Sequence, residues 1–207
     1  MPPQNAASLV RLGIWALPLG ALLGLIGNLS SLSIPDPDND PTGAAHATTT
    51  GYFLIQFIAN VLSPALAIFG IFALFAYLLH THGGRLASSA MVLSILGLSM
   101  LLSFGGIITY AIPALAQEYL NGQQSAIQMT NALFNAEVFA VVIVGGLLIF
   151  LGFVLFGVAL WRLETLPKWA GVVLALAGLL LAVPGQVPAL LGTLLVVIAG
   201  VWIALDV

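Results

Sequence analysis

The stretch LWRLETLPKWAGVVL, residues 160–174, separates two long apolar runs and decides the fold. It contains Arg162 and Lys168, which are half of the four Lys and Arg residues in a chain of 207. Each cation lies beside a tryptophan, Trp161 or Trp169. Cations and tryptophans between apolar segments are typical of a short loop at a membrane–water interface. The stretch therefore predicts a turn between two transmembrane helices.

The composition of the whole chain agrees with this interpretation. Apolar residues make up 61% of the sequence and charged residues 5%, whereas a soluble domain has about 25% charged residues. A surface with so little charge has to face lipid. The chain has no cysteine, which excludes disulfides, thiol catalysis and thiolate-held metals. No basic stripe is present to neutralise phosphates, which argues against nucleic acid as a partner.

Several apolar segments approach the length of about 20 residues that crosses a hydrocarbon core of ~30 Å. They cover residues 9–32, 52–79, 88–115, 131–161, 169–183 and 187–205. The last two are divided by PGQVP (184–188), which favours a tight turn. The sequence predicts an all-α fold, a polytopic transmembrane bundle of six helices that forms a single domain over residues 1–207. Because 169–183 is short, five helices plus a re-entrant segment is the alternative.

The basic residues predict the orientation of these helices, because Lys and Arg stay on the cytoplasmic side of short loops. With the N-terminus inside, Arg11, Arg85, Arg162 and Lys168 all fall on the cytoplasmic face. The acidic loop PDPDND (35–40) then falls outside. We therefore expect a multi-pass protein of the cell membrane with both termini in the cytoplasm and lipids around it.

Small residues predict how the helices associate, since close packing rather than apolar burial drives association in lipid. Gly20 and Gly24 have the GxxxG spacing on the first predicted helix. This face fits a contact within the chain. The alternative is a seam for a protein partner or a homodimer.

Polar residues gather in the predicted outer half of the bundle. Gln56 and Asn60 lie four residues apart on one helix face, while Asn28, Asn135 and Glu137 fall at a similar depth on other helices. Such residues can line a ligand or transport site. The alternative is ordinary hydrogen bonding between helices, worth about 1 kcal/mol or less for each bond. The two alternatives differ in whether the side chains converge on one cavity.

The sequence predicts no catalytic, cofactor-binding or metal site. No Ser–His–Asp set, H-E-x-x-H motif, phosphate-binding loop or pair of intramembrane aspartates is present. His80 and His82 form an H-x-H pair, but without nearby acids or cysteines to complete a metal shell they are better explained as a polar turn.

The turn between the fourth and fifth predicted helices also resembles a known pattern. Leu160, Trp161 and Arg162 form L-W-R, and Leu166, Pro167 and Trp169 form L-P-x-W. This is similar to a cytoplasmic turn of uncharacterised bacterial multi-helix membrane proteins. The resemblance covers some 20 residues of the chain. It implies a small bacterial inner-membrane protein, and it brings no catalytic residues with it.

These observations predict a non-enzymatic membrane protein that is either an accessory subunit or a small-molecule- or lipid-binding helical bundle. The alternative is a transporter or channel-like protein that uses the outer polar cluster. A membrane enzyme has the least support from the residues.

Overall fold

The structure, a computed structural model, describes residues 3–30, 41–79, 81, 83–123, 125–163 and 168–207. Within these ranges the chain is helical and has no β-strand. The helices are α1 (Pro3–Ile14), α2 (Ala16–Ser30), α3 (Pro41–Ala47), α4 (Thr50–Phe57), α5 (Ser63–Leu78), α6 (Gly84–Gly106), α7 (Ile112–Leu120), α8 (Ser125–Leu133), α9 (Ala136–Trp161), α10 (Lys168–Ala182) and α11 (Gln186–Asp206). The predicted all-α helical bundle is confirmed.

Two π-helical turns, Ile58–Leu62 and Ile107–Ala111, join α4 to α5 and α6 to α7 within continuous helices. In the described residues five helical stretches are long and apolar enough to cross a membrane: Ser8–Leu29, Thr50–Leu78, Gly84–Leu120, Gln128–Trp161 and Gln186–Asp206. The shorter α10 has 15 residues, about 22 Å at ~1.5 Å per residue, against a hydrocarbon core of ~30 Å. The fold is that of a multi-pass membrane protein.

The apolar helices pack side by side in a closed ring. Among the described elements, α2 packs on α5, α5 on α6, α6 on α9, α9 on α10, α10 on α11, and α11 back on α2. We call this arrangement the helix ring. Because the first and last helices of the ring touch, it surrounds a central space.

The basic residues gather at one end of the helix ring. Arg85 lies in the first turn of α6, Arg162 follows α9, and Lys168 begins α10. Arg11 lies on α1, which packs along α5 and approaches the same end. We call this the basic end, and the other the opposite end. Toward the basic end a core of buried side chains fills the ring, including those of Leu17, Leu74, Phe156, Leu174 and Ile203.

Glycines hold neighbouring helices at short distances. A Cβ atom on Gly97 of α6 would lie 2.5 Å from the Gly145 carbonyl oxygen of α9. A Cβ atom on Gly157 of α9 would lie 2.5 Å from the Gly171 carbonyl oxygen of α10. No larger side chain fits at either crossing, so the two backbones pack directly on each other.

The GxxxG pair of α2 faces α5 of the same chain. A Cβ atom on Gly20 would lie 2.8 Å from the Ser63 carbonyl oxygen, and one on Gly24 would lie 2.8 Å from the Ser63 hydroxyl oxygen. The motif therefore serves an intramolecular contact. A homodimer or another protein partner at this face stays a prediction.

Two of the predicted helices are interrupted. The segment 9–32 breaks at Trp15, between α1 and α2, because Pro18 has no N–H to donate to the carbonyl group four residues earlier. The segment 131–161 breaks before Asn135, which has extended backbone angles and accepts a 2.9 Å hydrogen bond from the Val138 N–H. Asn135 is therefore the N-cap of α9 rather than an interior helical residue.

The predicted break at PGQVP is present at residues 183–185, directly before α11. Gly185 has a φ of 133°, which only glycine adopts without strain. Near this opposite end, α3 packs on α7 through a small cluster that includes Ala44, Tyr52 and Ile112. The helix ring is thus covered by short helices on part of its opposite end.

Candidate ligand cavity

Two prolines shape the helices around the candidate site. Proline lacks an N–H, and its ring clashes with the carbonyl group four residues earlier. Pro64 follows the π-helical turn Ile58–Leu62, and Pro113 follows the turn Ile107–Ala111. A π-helical turn bonds each N–H to the carbonyl group five residues earlier, which accommodates the missing donor. Each proline thus accounts for a local widening of its helix.

Each π-helical turn lies against the α-helix that leads into the other: α6 contacts Ile58–Leu62, and α4 contacts Ile107–Ala111. A Cβ atom on Gly105 would lie 2.7 Å from the Asn60 Cβ and 2.8 Å from the Asn60 carbonyl oxygen. One turn further along, the buried hydroxyl of Thr109 shares its hydrogen between the Gly105 carbonyl at 2.8 Å and the Gln56 carbonyl at 3.3 Å. These contacts fix the register of the two helices at the depth of the polar residues.

Tyr52, Gln56 and Asn60 form a polar stripe, because residues four apart share one face of a helix. The side-chain Nδ2 of Asn60 donates a 2.7 Å hydrogen bond to Gln56 Oε1. The buried Tyr52 hydroxyl interacts with the Gln56 side chain but completes no hydrogen bond within the described residues. Gln56 is only 6% exposed. The stripe therefore places two neutral carboxamides, each able to donate and accept, inside the bundle.

The two carboxamides line a cavity inside the helix ring. The cavity has a volume of about 360 Å³, within the ~300–1,000 Å³ range of small-molecule sites. Its walls come from α2, α4, α5, α6, α9, α10 and α11. Pro184 and Gly185, both exposed, belong to the wall at the opposite end. The cavity thus reaches the surface near the turn between α10 and α11.

The cavity is polar toward the opposite end and apolar toward the basic end. The polar side chains in its lining belong to Asn28, Gln56, Asn60, Ser63 and Thr193. The apolar lining residues nearer the basic end include Leu17, Ile149, Phe153 and Val196. Among the described residues of the lining, none is Asp, Glu, Lys, Arg or His. This arrangement can hydrogen-bond a neutral polar group and enclose an apolar body.

At the rim of the cavity a hydrogen bond links α2 to α11, the two helices whose contact closes the helix ring. The side-chain amide of Gln186, at the start of α11, donates a 3.3 Å hydrogen bond to the Asn28 carbonyl near the end of α2. Behind Asn28, a Cβ atom on Gly27 would overlap the Ala59 side chain. These contacts hold α2 close to both neighbouring helices at the depth of the carboxamides.

Three residues of the predicted outer cluster meet at this cavity. Asn28 comes from α2, Gln56 from α4 and Asn60 from the π-helical turn. Asn135 and Glu137 lie elsewhere: Asn135 caps α9, and Glu137 is an exposed residue of the first turn of that helix. Neither belongs to the lining of the cavity. A functional role for any of the five stays a prediction.

Thr193 and Thr109 are two further polar residues at or beside the cavity, and the sequence gives little indication that they belong to a site. Thr193 lines the cavity from α11 and donates to the Ala189 carbonyl at 2.7 Å. A lone threonine in an apolar helix commonly makes such a backbone bond, so it carries little signal of a site. Thr109 does not line the cavity, but its hydroxyl donates a hydrogen bond to the Gln56 carbonyl and so helps to position Gln56. Its neighbour Tyr110 points outward and is exposed.

The described residues show no group of three or more His, Asp, Glu or Cys side chains that could hold a metal ion. The His80 and His82 pair lies outside the described residues, as do Leu166 and Pro167 of the interfacial turn. The remaining candidate chemistry is the neutral polar lining of the cavity.

The fold is that of a multi-pass helical membrane protein with an internal cavity, which is polar on one side, apolar on the other and free of charged side chains among its described lining residues. Comparison with protein families, curated proteins and solved structures gave no match for this chain.

Proposed function

We propose that the protein is a non-enzymatic membrane protein that binds a small neutral amphiphile in the cavity of the helix ring. The observation that supports this function is convergence. Asn28 lies on α2, and Gln56 and Asn60 lie four residues apart on a second, continuous helix, yet all three line one cavity whose deeper wall is apolar. Interhelical hydrogen bonding alone needs pairs of polar residues but no open space beside them.

The lining favours an uncharged ligand with a polar head and an apolar body. A charged group would be costly at this depth, because the described lining offers no opposite charge to pair with it. The Asn60 side-chain oxygen accepts no hydrogen bond from the described residues, so it can accept one from a hydroxyl or amide group of a ligand. The head group would lie at the carboxamides, and the apolar body would point toward Phe153.

We place this site in the outer half of a bacterial inner membrane. The basic end then faces the cytoplasm, because cations in short loops remain on that side. With this orientation both termini are cytoplasmic, and the rim at Pro184 and Gly185 faces the exterior. A ligand enters from the outer leaflet or from the outside.

The decisive experiment is native mass spectrometry of the protein purified gently from its own membrane. The wild type is expected to carry a neutral molecule with mass in the range of small amphiphiles. Ala189→Leu adds bulk to the cavity wall and is expected to release it. Ala114→Leu is the matched control, since Ala114 is exposed on α7 and does not line the cavity.

The proposal also predicts a chemical dependence on the carboxamides. Asn60→Leu is expected to lower retention of the molecule about tenfold or more, the effect of ~1.4 kcal/mol or more for a lost hydrogen bond to a buried polar group. Equal occupancy in the wild type, Ala189→Leu and Asn60→Leu would reject the binding site, and so would a wild type that carries no such molecule.

A transporter is the second candidate, favoured by the helix irregularities beside the cavity. Pro64 lines the cavity two residues after the end of a π-helical turn, and such interruptions are common where transporters bind their substrates. Uptake of the identified molecule into proteoliposomes tests this function. Pro64→Ala is expected to slow uptake while retention stays near that of the wild type. If the wild type takes up none of the molecule, the transporter function is rejected and the binding function remains.

A further inference from the structure

A second apolar feature lies on the outside of the helix ring, between α9 and α10. It is a groove of about 300 Å³. Its walls include Val154, Val158 and Trp161 from α9, and Val172, Leu176 and Leu179 from α10. Leu176 is 49% exposed, so this face is turned away from the core. The contact between Gly157 and Gly171 brings the two backbones together beside it.

The groove has the length of one leaflet. On α9 it runs from Phe150 to Trp161, which is about 16 Å at ~1.5 Å per residue. Half of a hydrocarbon core of ~30 Å is about 15 Å. An acyl chain that lies along the groove would thus extend from the basic end to near the middle of the membrane.

Charge and aromatic residues mark the basic end of the groove. Trp161 and Trp169 form an edge-to-face pair with ring centres 6.0 Å apart. Arg162 directly follows the first tryptophan, and Lys168 directly precedes the second; both cations are exposed. They are two of the four Lys and Arg residues in the chain. Tryptophan prefers the headgroup level, and cations at that level attract phosphate groups.

We propose that this groove is a binding site for an anionic glycerophospholipid. One acyl chain lies between α9 and α10, and the phosphate lies near Arg162 and Lys168. This lipid fits because its phosphate is opposite in charge to Arg162 and Lys168, and because the apolar groove is as long as one leaflet is thick. A second copy of the chain would bring like charges at this end together, which disfavours it as the occupant. The site is separate from the cavity of the helix ring, so either one can fail without the other.

The test uses the full-length protein in nanodiscs of equimolar phosphatidylglycerol and phosphatidylcholine, followed by native mass spectrometry. Wild type is expected to retain phosphatidylglycerol in preference to phosphatidylcholine. The double variant Arg162→Gln and Lys168→Gln is expected to lose about tenfold or more of that preference, since each cation near an anionic surface contributes roughly 1 kcal/mol. Arg85→Gln is the charge control, because Arg85 lies near the same end on α6 and outside the groove.

A second pair of variants tests the acyl chain. Val158→Phe fills the groove and is expected to lower retention of both lipids. Val92→Phe, at an exposed position of α6, is expected to leave retention unchanged. The proposal is overturned if Arg85→Gln removes the preference as strongly as the double variant. It is equally overturned if Val158→Phe retains lipid like the wild type, or if the groove variants abolish a dimer mass instead of a lipid adduct.

Discussion

Gly97 of α6 lies so close to Gly145 of α9 that a Cβ atom on Gly97 would come within 2.5 Å of the Gly145 carbonyl oxygen. The same atom would lie 2.9 Å from the Ile149 backbone nitrogen. Because both contacts are with backbone, neither can move aside without shifting a helix. This crossing fixes how closely α6 and α9 pack.

Gly97→Ala is therefore expected to destabilise the protein by about 1–3 kcal/mol, the usual cost of overpacking. Gly106→Ala is the matched control on the same helix, since a Cβ atom there would meet nothing within 4 Å. The control is expected to be neutral or to stabilise by up to ~1 kcal/mol through helix propensity. Thermal unfolding in detergent measures both variants, and equal midpoints for the two would contradict the crossing.

Ser94 is a buried position where substitution by alanine is expected to preserve or raise stability. Its hydroxyl oxygen is buried and has no hydrogen-bond partner within the described residues. Ser94→Ala removes this unpaired group and is expected to be neutral or to stabilise by up to about 1 kcal/mol. The exposed Ser103 is the comparison position, where alanine is expected to change stability by less than ~0.5 kcal/mol. A clear loss of stability in Ser94→Ala would show that the hydroxyl has a partner.

Asn135 is expected to act on stability rather than on ligand binding. Asn135→Ala removes the N-cap of α9 and is expected to cost about 1 kcal/mol, whereas Asn135→Ser retains an accepting oxygen and most of the stability. Retention of the cavity ligand should not change in either variant. Asn131→Ala, at an exposed position of α8, is the control. If Asn135→Ala lost the ligand without losing stability, Asn135 would be part of the ligand site after all.

The orientation can be tested with single cysteines, because the chain has none of its own. Asn121→Cys lies after α7 at the opposite end, and Asp206→Cys lies at the end of α11, on the basic side. An impermeant maleimide added to intact cells is expected to label Asn121→Cys at once and Asp206→Cys only after permeabilisation. The reverse pattern would place the cavity rim in the cytoplasm.

Much of the architecture can be predicted from where charge, tryptophan and small residues occur. Arg85, Arg162 and Lys168 do lie at one end, and Gly20 and Gly24 do contact a neighbouring helix. The order of helices around the ring could not be predicted. Apolar helices share a small set of residues, and lipid-facing and helix-facing sides therefore look alike in sequence.

The candidate site was only partly predictable for a related reason. Spacing along a helix brings Gln56 and Asn60 together, since residues four apart share a face. Whether Asn28 lies beside these two residues depends on how α2 packs against their helix, and residue spacing along a helix does not predict that packing. The break before Asn135 had a local signal, because asparagine before an acidic first turn is typical of a helix start.

The contact between α2 and α11 has a consequence for biosynthesis. The wall that carries Thr193 and Val196 belongs to α11, which follows the other helices of the ring along the chain. Before α11 is synthesised and packs on α2 and α10, the ring lacks this wall, and the carboxamides on α2 and α4 are not yet enclosed. The proposed ligand would contact both α11 and the earlier helices, so its binding is expected to stabilise the contact between α2 and α11.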